Sequence, residues 1–98
     1  MFRSKTYDEK LSTELRSPKF AREFLMTLMD GDEGLSLDEA LRHLISRMGV
    51  KEFAELARVE RNNVSAFLKK KRDPKPETLD LYLKPFGLKV KMVVEKAS

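Results

Sequence analysis

Residues 53–68, FAELARVERNNVSAFL, decide the fold, because their apolar side chains fall into two groups that each have the spacing of one helix face. The two groups are Phe53, Ala54 and Ala57, followed by Val64 and Phe67. The stretch 58–60 between them is too short for anything but a tight turn. Ala54 has a side chain small enough to let two helices approach each other closely. The pattern therefore predicts a helix-turn-helix motif at about 51–69.

The second helix of such a motif can enter the major groove of DNA, where its exposed side chains meet the edges of the bases. We expect base contacts from five residues, Arg61, Asn62, Asn63, Ser65 and Ala66. Arginine can bond O6 and N7 of guanine, and asparagine can bond N6 and N7 of adenine. Serine and alanine allow close approach, and the alanine can touch the methyl group of thymine. The alternative is that Asn62 and Asn63 only belong to a polar, solvated helix face.

Basic residues flank the motif and are candidates for contacts with DNA phosphates, which bind cations without reading sequence. These residues are Lys51, Lys69, Lys70, Lys71 and Arg72. Residues 1–49 hold 8 Lys and Arg against 9 Asp and Glu, whereas residues 50–98 hold 12 against 7, so the net charge of +4 is −1 plus +5. A basic half beside the motif suits a phosphate backbone, although ordinary solvated lysines and arginines give the same balance.

Length and composition predict one soluble, globular domain over residues 1–98. With 41% apolar residues the chain is too apolar to be disordered, yet no apolar run approaches the roughly 20 residues of a membrane span. The first residues, MFRSKTYDEK, lack the apolar segment of a secretion signal. The absence of cysteine excludes disulfides and thiolate metal sites, and it fits a cytoplasmic protein.

The sequence offers little for catalysis or metal binding, and we expect neither an enzyme nor a cofactor. His43 is the only histidine, so a transition-metal site has too few ligands, and we expect this side chain at the surface or at the edge of the core. Asp30, Asp32 and Glu33 do not follow the ligand pattern of a calcium loop, and a solvated acidic turn explains them better. The chain also has no glycine-rich phosphate loop.

Capping residues and apolar spacing predict a helix on each side of the motif and one more near the N-terminus. Ser17 before Pro18 indicates a cap followed by a proline at the first helical position. Ser36 and Glu39 have the spacing of a capping box. The predicted helices, with the two of the motif, lie at about 18–29, 37–48, 51–57, 60–69 and 76–84.

The two ends of the chain are less regular. Residues 1–16 are polar and weakly patterned, and we expect a loose helix or an N-terminal arm. Residues 88–94, LKVKMVV, are apolar at every second position, which is the period of a β-strand. One strand cannot satisfy its own backbone groups. Our preferred partner is the same strand of a second copy; the alternatives are a partner protein and an arm at residues 2–7.

The motif resembles the lambda-repressor/Cro-like (XRE-type) helix-turn-helix family over about residues 37–87. Phe53-Ala54-Glu55 is similar to the apolar-Ala-Glu start of that motif, and Val59 matches its buried turn residue. Arg58 stands where the family often has glycine, and a left-handed backbone there costs roughly 1 kcal/mol for any other residue. Glu60 replaces the usual Ser or Thr cap. The resemblance implies a mainly α, lambda-repressor-like five-helix DNA-binding domain with a short C-terminal β-strand.

The order of the flanking segments resembles that of the HigA-like addiction-module antidote family, the antitoxins of bacterial toxin–antitoxin pairs, over about residues 7–94. SPKFAREFL at 17–25 is similar to that family's PEFAxEYL element. Residues 79–90 are similar to its TLxxxLKALGLKL ending, with Pro85 in place of the usual alanine. The resemblance implies an antitoxin that neutralises a RelE/HigB-like ribonuclease toxin and represses their shared operon. We expect it to bind a double-stranded DNA operator as a homodimer, because one such module makes few contacts.

We expect the toxin to dock on residues 1–35, because the chain carries six acids and no base from Glu23 to Glu39 and ribonuclease toxins tend to be basic. Two other functions remain open. One is a phage or chromosomal XRE-type repressor that has no toxin partner. The other is a protein-only adaptor that uses the same helices for docking.

Overall fold

The computed structural model describes the backbone of residues 5–70 and 74–91, with side chains from residue 10 onward. Within these ranges the chain forms six α-helices and one 3-10 turn, and no described residue belongs to a β-strand. The elements are α1 (Lys5–Leu15), α2 (Pro18–Met29), α3 (Leu37–Met48), α4 (Val50–Ala57), α5 (Arg61–Leu68), α6 (Pro76–Leu83) and the 3-10 turn Lys84–Phe86. The prediction of a mainly helical fold is confirmed.

The N-terminal segment is a helix and not an arm, so the described fold has six helices where five were predicted. Leu15, at the end of α1, is completely buried, and Leu11 one turn earlier packs against the core. The Ser12 hydroxyl donates a 2.6 Å hydrogen bond to the backbone carbonyl of Met48, in the last turn of α3. Residues 5–15 form a helix despite their weak apolar pattern, because tertiary packing stabilises short helices more than helix propensity does.

Helix ends follow the local signals of the sequence, with one exception. Ser36 accepts a 3.3 Å hydrogen bond from the backbone N–H of Glu39, which satisfies one of the free donors at the start of α3. Gly49 ends α3 with a φ of 110°, a conformation that favours glycine. Pro18 is the first residue of α2, as predicted, but the Ser17 side chain makes no capping bond.

One apolar core connects the helices. Its completely buried members include Leu15, Leu25, Leu41, Leu44, Ile45, Phe53 and Val64. Aromatic rings extend this core to the C-terminal side, with centroids 5.3 Å apart for Phe67 and Tyr82 and 5.2 Å apart for Tyr82 and Phe53, both edge to face. Since each such pair contributes about 0.5–1.5 kcal/mol beyond its buried area, α6 holds α4 and α5 together.

The C-terminal segment keeps the predicted alternation of side chains but not the strand. Leu88 and Val90 are half-buried against the core, whereas Lys89 and Lys91 are exposed. The backbone N–H of Val90 donates a 2.6 Å hydrogen bond to Oδ1 of Asp80, a side chain of α6. Residues 88–91 therefore lie outside any strand, and the rest of the predicted strand, 92–94, lies outside the described residues. Residues 5–7 of the proposed pairing arm are in α1.

Candidate nucleic-acid interface

The predicted pair of short helices is present: α4 and α5 are joined by residues 58–60. The turn is closed by a 3.0 Å hydrogen bond from the backbone N–H of Val59 to the carbonyl of Ala54. Ala54 is 3% exposed and Val59 is half-buried, so the turn packs on the core at the side where the two helices meet. This packing fixes the start of α5 relative to α4.

Arg58 adopts the left-handed conformation that its position in the turn predicts, with φ 58° and ψ 47°. This conformation is unfavourable by about 1 kcal/mol for a residue with a Cβ atom. Its side chain is exposed, and the residue ends α4. The departure from glycine is therefore tolerated at a local energetic penalty.

The two sides of α5 differ sharply in exposure. Val64 is completely buried and Phe67 is 6% exposed, so these two residues attach the helix to the core. The five residues predicted to contact bases lie on the solvent side: Arg61, Asn62 and Asn63 are exposed, and Ser65 and Ala66 are half-buried. The structure thus gathers all five on the accessible surface of one helix, with the longest polar side chains at its N-terminal end.

Three of the five predicted phosphate-binding residues are described, and all three are exposed. Lys51 lies in the first turn of α4, while Lys69 and Lys70 directly follow α5. Lys70 has a φ of 56°, so the chain leaves α5 through a second left-handed residue that is not glycine. Lys71 and Arg72 lie outside the described residues.

An open groove of about 500 Å³ runs along the start of α5. Its lining is Ala54, Glu55, Val59, Glu60, Arg61 and Asn62. Glu60 precedes α5 at the cap position and makes no side-chain capping bond, as its difference from Ser or Thr predicted. The groove therefore combines two carboxylates with the donors of Arg61 and Asn62, a mixture that suits base edges better than phosphates.

Arg42 is a functional candidate that the sequence did not reveal. Its Nε donates a 3.0 Å hydrogen bond to the backbone carbonyl of Phe67, in the last turn of α5. Its guanidinium carbon also lies 4.7 Å from the centroid of the Phe67 ring. The same carbonyl also accepts a 3.2 Å hydrogen bond from the backbone N–H of Lys70, so Arg42 on α3 adds a side-chain contact to a helix end that already has a backbone partner.

Two further titratable side chains, Tyr82 and His43, differ in exposure. Tyr82 is 2% exposed between Phe53 and Phe67, and burial raises the pKa of its phenol above the ordinary value of 10.0. His43 is exposed on α3, in agreement with its predicted place at the surface.

Over residues 5–70 and 74–91, every helix is too short or too polar to cross a bilayer.

No protein-family model, curated protein or solved structure gives a significant match to this chain.

Proposed function

We propose that the protein is a sequence-specific DNA-binding regulator in which α4 and α5 form a helix-turn-helix and α5 enters the major groove. The observation that carries this proposal is the division of α5 into a buried side and an exposed polar side. Val64 and Phe67 hold the helix on the core, and its first turn presents donors that fit guanine and adenine. A helix of eight residues is about 12 Å long, which is enough to read a few base pairs.

Roles divide along the surface. Arg61, Asn62 and Asn63 read bases at the start of α5, while Ser65 and Ala66 allow the helix to approach the groove floor. Cations at the ends of the helix pair bind phosphates and set its register; these are Lys51, Lys69, Lys70, Lys71 and Arg72. Glu55 and Glu60 border the groove without a cation partner among the described residues, so they oppose any position in which phosphates approach this side.

A short helix reads too few base pairs for a tight site, so we propose that two copies bind a two-fold operator. The C-terminal segment 88–94 is our candidate for the dimer contact. The Asp80 carboxylate already holds the Val90 N–H, so a strand from a second copy can pair only with the opposite edge of this segment. Sedimentation of the full chain tests the dimer, and a monomer at the concentrations that saturate DNA contradicts it.

We also propose that the protein neutralises a RelE/HigB-like toxin, on the basis of its resemblance to HigA-like antitoxins. One structural observation favours a docking surface in residues 1–35. Met26 on α2 is 54% exposed, and the exposed acids Asp30, Asp32 and Glu33 follow the same helix. A basic toxin suits this surface. Pull-down of such a toxin by Met26→Lys and by the wild-type chain tests it, and equal retention contradicts docking at this surface.

The experiment that tests DNA binding begins with selection of a preferred duplex from a random pool by the purified protein. Binding of the selected duplex and of random DNA is then measured over a range of salt concentrations. Replacing Lys70, Lys71 and Arg72 together with Ala should weaken the binding of the selected duplex and of random DNA. It should also reduce the slope of log K against log salt by up to about 0.9 per lost phosphate contact. Lys19→Ala, at an exposed position of α2, controls for the loss of a single positive charge. Failure to enrich any sequence favours the protein-only adaptor.

A further inference from the structure

A second concave surface, a polar pocket of about 260 Å³, lies beside the C-terminal end of α5. Its lining is Glu39, Arg42, His43, Ser46 and Lys70. Arg42 and His43 lie three and four positions after Glu39, and Ser46 lies four and three positions after them, so the four residues share one stripe of α3. Lys70, the second residue after α5, closes the pocket from the other side. The pocket thus collects two permanent cations, an imidazole and a hydroxyl around one carboxylate.

Two walls of this pocket are fixed by the fold. The Nε bond to the Phe67 carbonyl and the ring contact hold Arg42, and a guanidinium with five N–H donors keeps others free for a ligand. Lys70 is held in a left-handed backbone conformation that few residues adopt. Strain of this kind persists where the surrounding structure requires it, and it concentrates at binding sites.

The electrostatic balance of the pocket favours an anion. Within the described part of the chain, no salt bridge joins Glu39 to Arg42, His43 or Lys70. Arg42 and Lys70 contribute +2 and Glu39 contributes −1, so these three groups give the pocket a formal charge of +1. A phosphate group would accept hydrogen bonds from the guanidinium, the ammonium and the Ser46 hydroxyl without burying an unpaired charge.

We propose that this pocket binds a phosphate group. The proposal rests on the proposed function in one respect: the phosphate is taken to belong to the DNA backbone, beside the end of α5. A free phosphate is the other source of the same chemistry. The imidazole of His43 adds at least one N–H donor to those of Arg42, Lys70 and the Ser46 hydroxyl.

The test compares wild type with His43→Ala and Ser46→Ala, and with Lys19→Ala as the control. In the first arm, fluorescence anisotropy measures the binding of a short random-sequence duplex to each protein at one pH and one salt concentration. In the second arm, inorganic phosphate is added and the NMR signals of the His43 ring and the Lys70 amide are followed.

His43→Ala and Ser46→Ala should each lose up to about tenfold in duplex affinity, the contribution of one hydrogen bond to a charged group, and Lys19→Ala should lose less. Both pocket variants should also bind inorganic phosphate more weakly than wild type. Unchanged duplex affinity in both pocket variants, with no phosphate-induced shift in the wild type, overturns the pocket while DNA binding by α5 stands. Phosphate-induced shifts in a protein that binds no duplex support the pocket, assign it to free phosphate and contradict the proposed function.

Discussion

The guanidinium of Arg42 and the backbone carbonyl of Phe67 lie 3.0 Å apart although 25 residues of sequence separate them. This hydrogen bond joins α3, the most buried helix, to the end of α5, which presents the candidate DNA-binding surface. The Phe67 ring adds a second contact with the same guanidinium, at 4.7 Å. The position of α5 therefore depends on one polar side chain as well as on the apolar packing of Val64 and Phe67.

We expect Arg42→Met to lower the free energy of unfolding by about 1–3 kcal/mol, because it removes a charged hydrogen-bond donor and a cation–π contact while keeping much of the side-chain volume. The free energy of unfolding of Arg42→Lys should lie between those of wild type and Arg42→Met, since an ammonium keeps the charge but lacks the planar donor that reaches the carbonyl. Urea unfolding of wild type, Arg42→Met and Arg42→Lys measures these free energies. Arg16→Met, at an exposed position between α1 and α2, is the control and should change little. A loss no larger than that of the control would mean that the Arg42–Phe67 bond does not stabilise the fold.

Arg58→Gly should stabilise the protein by about 0.5–1 kcal/mol, because glycine adopts the left-handed backbone of this turn without steric penalty. Arg58→Val should destabilise it, since a β-branched residue fits a positive φ least well. Thermal unfolding of the three proteins gives the order. A lower melting temperature for Arg58→Gly than for wild type contradicts this account of the turn.

Arg61→Ala and Asn62→Ala should each weaken binding of the selected duplex by about 1–3 kcal/mol, with a smaller effect on random DNA. Both side chains are exposed in the first turn of α5, so neither substitution should alter the unfolding midpoint. Competition binding with the two duplexes separates the effects. If both duplexes lose affinity equally, these side chains contact phosphates and do not read bases.

Stability should decline above about pH 10 in a way that Tyr82 explains. Burial raises the pKa of Tyr82 in the folded protein above its ordinary value of 10.0, so the folded state favours the neutral phenol. The contribution of the buried ring is complete below pH 10 and is lost as the unfolded chain ionises above it. Tyr82→Phe should unfold much as wild type does at pH 8 and show a smaller decline at pH 11. Tyr7→Phe is the control, and equal declines in all three proteins would exclude Tyr82 as the cause.

The features that sequence predicts well here are the local ones. Ser36, Gly49 and Pro18 mark helix ends within one turn of themselves, and the turn at Arg58 follows from residues on either side of it. The exposed face of α5 was also predictable, since the spacing of Val64 and Phe67 determines which positions face the core.

The features that sequence does not predict depend on distant partners. Nothing in the α3 sequence indicates that Arg42 bonds to Phe67, and nothing near Val90 indicates that its N–H is bound by Asp80. The alternation at residues 88–91 correctly indicated which side chains pack inward. It did not indicate that the Val90 N–H donates to the Asp80 carboxylate. For the same reason, the pattern of residues 1–16 does not distinguish a loose helix from an arm, and it does not predict the burial of Leu15.

The chain enters and leaves the proposed reading helix through Arg58 and Lys70, two long cationic residues in backbone conformations where glycine would fold more readily. Under the proposed function, this arrangement is a trade-off between thermal robustness and recognition. Glycine at both positions should raise the melting temperature. It should also remove a positive charge at each end of α5 and so lower the affinity for nucleic acid. Selection of this protein for heat resistance alone should therefore favour glycine at these two positions, and the selected variants should melt at a higher temperature and bind nucleic acid more weakly.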